Sequence, residues 1–314
     1  MLAEECRVGK GEDQMRIGGG VTMAIVGAVL ATILAMSVAN AAPPVPTSQI
    51  AAETDKQLPC SLDAPCGLPE GRYMVKVPMG WDGKRPLAAA VWLQGDRQSV
   101  TGIMEDSELG RQFAREGILL IVPEARDQTW SVPGAPPQKT PRDETAFIGA
   151  VLMDAEKRFP IDKDHLIAAG FSIGATLVWT EACNVPKRFS AYIAFSGDFW
   201  DPPPKACAAG PVRLLQIHGN SDEIFPLHGR QLHGGKFTQG DAQKGLELWR
   251  AWKSCPLFAP APAPVEGLTA TATDTCADGS RFAFWQHGRG HEVDPAWVFA
   301  AIEWVKRGWD TPTH

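Results

Sequence analysis

The chain has 314 residues, a formal net charge of −6, 44% hydrophobic residues and 21% charged residues. That is enough for one large α/β domain with a substantial core, and short for two. The acidic balance excludes a surface built to neutralise phosphates, so nucleic acid is not an expected partner.

The first segment reads as a leader. Arg16 is followed by three glycines and an apolar run from Val21 to Ala39, which ends at Ala39-Asn40-Ala41. A basic residue, an apolar stretch and a small-x-small site make a secretory signal peptide over residues 1–41 and imply export. The run is also about long enough to span a bilayer, so an uncleaved anchor carrying an exported domain is the alternative. Only then does a membrane become a partner. Glu4, Glu5, Glu12 and Asp13 are unusual ahead of such a run, and Met15 is a second possible initiator.

Of seven cysteines, Cys6 falls in the leader. An even set of six in an oxidising compartment suggests disulfides, with about 15 possible pairings. Sequence neighbours give the simplest set, Cys60–Cys66, Cys183–Cys207 and Cys255–Cys276. No Cys-x-x-Cys spacing occurs, and no metal site is expected.

Residues 42–69 are Pro-rich and read as a linker or arm, ahead of a domain over 70–310. From there strands and helices alternate. Arg72–Val77 alternates like a strand, Leu87–Leu93 is a continuous apolar strand, Thr101–Glu116 a helix, and Gly117–Val122 a buried strand. Asp143–Phe159 carries Phe147, Ile148, Val151, Leu152, Ala155 and Phe159 on one helical face. His165–Phe171 is a strand with the helix Ile173–Cys183 directly behind it. Ser190–Ser196 and Val212–His218 are strands, and Gly240–Lys253 is a helix. Pro256–Gly267 is a surface loop, Arg281–Gln286 the last strand, and Asp294–Gly308 the closing helix. This alternation predicts an α/β fold, a mostly parallel sheet covered by helices on both faces.

The segment Gly170-Phe171-Ser172-Ile173-Gly174 joins a strand to a helix. A serine there sits on a tight strained turn, its hydroxyl exposed at the C-terminal edge of the sheet where ligands bind. A hydroxyl is a poor nucleophile at neutral pH and needs a base that is itself oriented by an acid. Asp222, just past strand Val212–His218, is the candidate acid; Glu223 is its neighbouring alternative and Asp198 the second choice. His291, on a glycine-rich loop between the last strand and the last helix, is the candidate base, with His287 as runner-up. His218 reads as packing beside the acid loop. The backbone N–H groups of Ile173 and Asp96 are the candidate oxyanion donors, the Asp96 carboxylate turning away, towards Arg97. Of eleven tryptophans, Trp130 and Trp200 follow strand ends and are candidates for a substrate-facing aromatic surface.

Taken together, Gly170–Gly174, His218-Gly-x-x-Asp222-x-x-Phe-Pro226 and Gly290-His291 resemble the polyhydroxybutyrate depolymerase and feruloyl esterase group of α/β-hydrolases, over roughly residues 70–308. The early loop departs, reading Leu93-Gln94-Gly95 where members commonly have Leu-His-Gly. The resemblance implies an α/β-hydrolase fold, a triad of Ser172, Asp222 and His291, ester hydrolysis through an acyl-enzyme, no cofactor, and a disulfide near the histidine compatible with Cys255–Cys276. The expected substrate is a small or oligomeric ester. Two other readings share the fold: a serine peptidase, and a catalytically silent binding protein.

Overall fold

The computed structural model describes residues 59–309 apart from Asp106. The expected leader, Cys6 and residues 42–58 of the arm lie outside the described residues. The strands are β1 (Cys66–Leu68), β2 (Gly71–Lys76), β3 (Leu87–Leu93), β4 (Leu119–Pro123), β5 (Ile161–Phe171), β6 (Ala191–Phe195) and β7 (Trp200–Asp201). They continue with β8 (Arg213–Gly219), β9 (Arg230–Leu232), β10 (Phe237–Gln239), β11 (Ala259–Ala261), β12 (Leu268–Ala272) and β13 (Arg281–His287). The helices are α1 (Val100–Glu105), α2 (Ser107–Arg115), α3 (Glu144–Arg158), α4 (Ile173–Asn184), α5 (Ala242–Trp252) and α6 (Pro295–Trp309).

Ten strands form one sheet in the order β1-β2-β4-β3-β5-β6-β8-β13-β12-β11. The central run from β4 to β13 is parallel, with antiparallel strands at both edges. Strands covered on both faces should be apolar throughout, and β4 is: Leu119 and Ile121 face one core, Leu120 and Val122 the other. The first core takes Phe147 and Val151 of α3, Leu177 and Val178 of α4, and Leu246 and Trp249 of α5. The second takes Ile103 of α1, Phe113 of α2, and Val298 and Ile302 of α6. The fold is that of an α/β-hydrolase.

The helix expected over 101–116 is described as α1 and α2, on either side of Asp106. One expectation needs correction. The loop Pro256–Gly267 contains β11, which pairs with β12 and extends the sheet; proline is tolerated there because β11 is an edge strand. The described end of the arm packs on the domain. Cys60 is buried, its carbonyl accepts from Val75 N–H at 2.7 Å, and β1 pairs with β2. The three disulfides join Cys60–Cys66, Cys183–Cys207 and Cys255–Cys276, with Cα–Cα separations of 4.5, 4.6 and 4.5 Å. Among the described residues no helix is long and apolar enough to cross a membrane.

Candidate active site

Strand β5 runs into helix α4 through Ser172, whose backbone sits at φ 58°, ψ −123°. Such an angle is costly for a residue with a Cβ and persists only where its surroundings enforce it. They do so by close approach. A Cβ on Gly170 would stand 2.6 Å from the Gly174 carbonyl oxygen, and one on Gly174 only 2.1 Å from the Leu93 carbonyl oxygen. Ser172 N–H also donates to the Phe195 carbonyl on β6 at 2.9 Å. Serine at a helix N-cap usually bonds its hydroxyl to the helix backbone. Here no such side-chain bond exists, which leaves the hydroxyl free for other work.

The acid and base loops are sewn together beside it. Asn220 N–H donates to the His287 carbonyl at 2.8 Å, Ser221 N–H to the Arg289 carbonyl at 3.2 Å, and the Ser221 hydroxyl to the Gly288 carbonyl at 3.0 Å. Gly219 is required there, since a Cβ would meet the Arg289 carbonyl oxygen at 2.3 Å. Asp222 accepts from Ile224 N–H (2.9 Å) and Phe225 N–H (2.8 Å) on Oδ1, and meets His291 Nδ1 at 2.7 Å on Oδ2. Burial alone would push the Asp222 carboxyl up; the bonds from His291 and Phe225 N–H outweigh it and hold the group below its ordinary value. The Phe171 ring, adjacent to Ser172, lies 4.5 Å from the His291 ring, which sets the imidazole against the serine turn. Glu223 is exposed and points out of this arrangement; its carbonyl accepts from Arg230.

On the other side of the turn, Gly95 lies so close that a Cβ would be 3.4 Å from Ser172 Cβ. Its N–H is held by Gln98 Oε1 at 2.8 Å, a contact that the sequence reading missed; its only signal is a glutamine three residues after a turn glycine. Ile173 opens α4, so its N–H is one of the donors that a helix leaves without an internal partner. Asp96 follows Gly95 and is exposed, its carboxylate 3.4 Å from Arg97 Nε. Gln94 is buried, and its amide, oriented as its neighbours require, donates to the Pro123 carbonyl at 2.9 Å and accepts from Ala125 N–H at 3.0 Å. The departure at this position is thus absorbed beneath the loop, at the end of β4.

The remaining candidates separate from the site. Trp130 and Trp200 are buried, at 1% and 6% exposure, so no aromatic surface is formed by them. The Trp130 indole instead donates to the Gln94 carbonyl at 2.8 Å, and Trp200 packs edge-on against Phe225. Asp198 is 1% exposed and neither carboxylate oxygen has a hydrogen-bond partner among the described residues. His287 is likewise buried, both ring nitrogens unpaired, stacked on Trp297 at 3.9 Å. A cavity of about 280 Å³ opens beside His291, walled by Trp92, Ile103, Phe171, Val293 and Val298. A larger one, about 660 Å³, lies among Asp198, Arg230, Asp241 and α5 and has none of Ser172, Asp222 or His291 in its walls, so size does not mark the chemistry here.

A serine on a strand–turn–helix elbow, with a carboxylate-held imidazole packed on the preceding Phe171, is an arrangement that fits the α/β-hydrolase fold. A family model described as phospholipase/carboxylesterase matches residues 142–239. Probable feruloyl esterase C of Aspergillus flavus is 28% identical over 173 residues, 53% of this chain and 60% of that protein. Putative esterase NocK of Nocardia uniformis is 25% identical over 225 residues, 66% of this chain and 65% of that protein. The chain spans 60% to 64% of the length of the first curated relatives it matches. Among solved structures, acetyl xylan esterase from Aspergillus awamori superposes with a TM-score of 0.53 at 14% identity, covering 76% of this chain and 94% of that one. A phospholipase/carboxylesterase from Dyadobacter fermentans gives 0.51 at 15% identity, covering 75% and 96%. The chain is thus similar in sequence to these esterases and shares the α/β-hydrolase fold.

Proposed function

We propose that the protein is an exported serine esterase that hydrolyses small or oligomeric carboxylic esters, with Ser172 as nucleophile, His291 as base and Asp222 as the acid that orients it. The observation that carries this reading is the 2.7 Å contact between Asp222 Oδ2 and His291 Nδ1, with the His291 ring packed on Phe171, the neighbour of a serine whose hydroxyl caps nothing. With Nδ1–H bound to the carboxylate, His291 presents Nε2 as the proton acceptor. The Ser172 oxygen attacks the ester carbonyl carbon while its proton passes to Nε2. The carbonyl oxygen becomes an oxyanion, received by the N–H groups of Ile173 and Asp96. Collapse breaks the bond to the alcohol, which leaves with the proton from His291. Water, deprotonated by His291, then attacks the acyl-serine and releases the acid.

The 280 Å³ cavity beside His291 has mixed walls, Trp92, Ile103 and Val298 alongside Gln98 and Glu292, which suits an ester that carries both an apolar portion and polar groups. Feruloyl and acetyl esters on plant polysaccharide and hydroxyalkanoate oligomers are the substrate classes that this reading covers. Three disulfides suit an oxidising compartment and support export.

The test is hydrolysis of p-nitrophenyl butyrate by the wild type and by Ser172→Ala. Loss of about 10⁴-fold or more in kcat in the variant is expected, together with phosphonate labelling of the wild type at Ser172. A folded wild type that neither hydrolyses nor labels overturns the reading in favour of a silent binding protein. Amide turnover exceeding ester turnover would favour a peptidase.

A further inference from the structure

Behind the acid loop runs a buried chain of polar side chains that the mechanism above does not use. Trp179, on the helix that begins at Ser172, donates its indole N–H to Gln216 Oε1 at 2.8 Å. Gln216, on β8, has its Nε2 3.1 Å from His218 Nδ1. His218 Nε2 lies 2.8 Å from the Phe225 carbonyl oxygen. Trp179, Gln216 and His218 are all at 0% exposure.

The two ends of this chain fix every proton in it. An indole N–H can only donate and a backbone carbonyl can only accept. Gln216 therefore turns Oε1 to Trp179 and donates from Nε2, so His218 accepts at Nδ1 and donates from Nε2. The ring is neutral in that arrangement. Burial favours the same state, lowering the pKa of His218 against the opposing pull of the Phe225 carbonyl and Asp222. Protonation would place a cation 3.7 Å from Asp222 Oδ2, in competition with His291 for the same oxygen.

The residue that His218 grips is one of the two that hold the acid. Phe225 gives its N–H to Asp222 Oδ1 and its carbonyl to His218. Fixing Phe225 from behind fixes Oδ1, and with Oδ1 fixed, Oδ2 faces His291. Arg230 holds the same loop from the solvent side through the Glu223 and Ile224 carbonyls, but touches neither Phe225 nor Asp222 in these bonds.

We infer that His218, with Gln216 behind it, is a positioning residue that ties the acid loop to the nucleophile helix and aims the Asp222 carboxylate at His291. The inference rests on the triad reading. Its first test is a spectroscopic one that does not need turnover: the far-downfield proton resonance of the Nδ1–H between His291 and Asp222. In the full-length protein this resonance is expected in the wild type and in His218→Gln, whose amide can still donate to Phe225. It is expected to be lost or shifted upfield in His218→Phe.

The second test is steady-state kinetics on p-nitrophenyl butyrate. His218→Phe is expected to lower kcat about 30-fold, as a small misplacement of catalytic groups does, with KM within about twofold. His218→Gln should recover most of that loss. Gln216→Met, which leaves the acid loop untouched, should lower kcat about threefold to tenfold in the same direction and supplies the test if His218→Phe does not fold. A folded His218→Phe, or Gln216→Met in its place, with kcat within about twofold of wild type and an unchanged resonance overturns the inference. Equal damage in the Phe and Gln variants also overturns it, by reducing His218 to packing. A wild type with the resonance but no hydrolysis would sink the esterase reading and leave the positioning role standing.

Discussion

Asp198 and Asp222 each stand three residues beyond the end of a parallel strand, and the two strands, β6 and β8, are neighbours in the sheet. Both carboxyls are nearly inaccessible, at 1% and 5% exposure. Their chemistry is opposite. Asp222 is met by two backbone N–H groups and His291, and stays ionised below the ordinary carboxylate range. Asp198 meets no donor, and burial, reinforced by Asp241 and Asp201, pushes it well above that range into the neutral form. The two histidines repeat the contrast. His291 is partly accessible and bonded, whereas His287, four positions earlier, is sealed against Trp297 and lowered to about 4, by burial first and by Arg289 second. Proximity to a strand end brings a group to the reactive edge, but donors supplied by the loop backbone decide whether it can work there.

The sharpest way to break this contrast is to substitute both members of each pair and measure kcat/KM on p-nitrophenyl butyrate. His291→Ala should lose about 10⁴-fold or more, and His287→Leu less than about tenfold. Asp222→Asn should lose about 10⁴-fold, because an amide cannot hold the Nδ1–H tautomer. Asp198→Asn, which replaces a neutral acid with a neutral amide of the same shape, should stay within about threefold. A large loss in either His287→Leu or Asp198→Asn, in protein that remains folded, would mean that the runner-up takes part in the chemistry.

Much of this was legible in the chain. Leu87–Leu93 is a strand with the same bounds as its apolar run, and the strand–serine–helix junction is where its glycines place it. What could not be read is direction. Gly174 is needed because of the Leu93 carbonyl, about eighty residues away in sequence, which no local pattern reveals. Trp130 and Trp200 follow strand ends as expected but turn inward, and that depends on the path of the loop. The apolar positions Ile103, Met104, Leu109 and Phe113 keep one face across α1 and α2, as the helical period leads one to expect. Pro260 suggested a loop, and only its position at the sheet edge allows it in a strand.

Stability against pH sharpens the comparison further. His287 is lowered to about 4 in the folded protein, against about 6.5 when exposed. Between those values the unfolded chain binds a proton that the folded chain refuses, so stability is lost as pH falls from 6.5 towards 4. The melting temperature of wild type should drop through this window by more than that of His287→Leu. Calorimetric scans at pH 7, 5.5 and 4.5 measure it, and parallel curves for the two proteins would show that His287 does not carry the dependence.

Asp198 should produce the opposite slope. An exposed aspartate loses its proton near pH 3.9, whereas Asp198 keeps its proton well above that in the fold. Above pH 3.9 the folded state therefore binds one proton more than the unfolded state, and stability contributed by this group falls as pH rises until the folded pKa is passed. Asp198→Asn removes the titration without removing the shape. The variant should melt at about the same temperature as wild type near pH 4, and progressively higher than wild type towards pH 8. If its advantage is instead independent of pH, the carboxyl is ionised in the fold, and the cavity beside Asp241 must then supply the donor that Asp198 lacks.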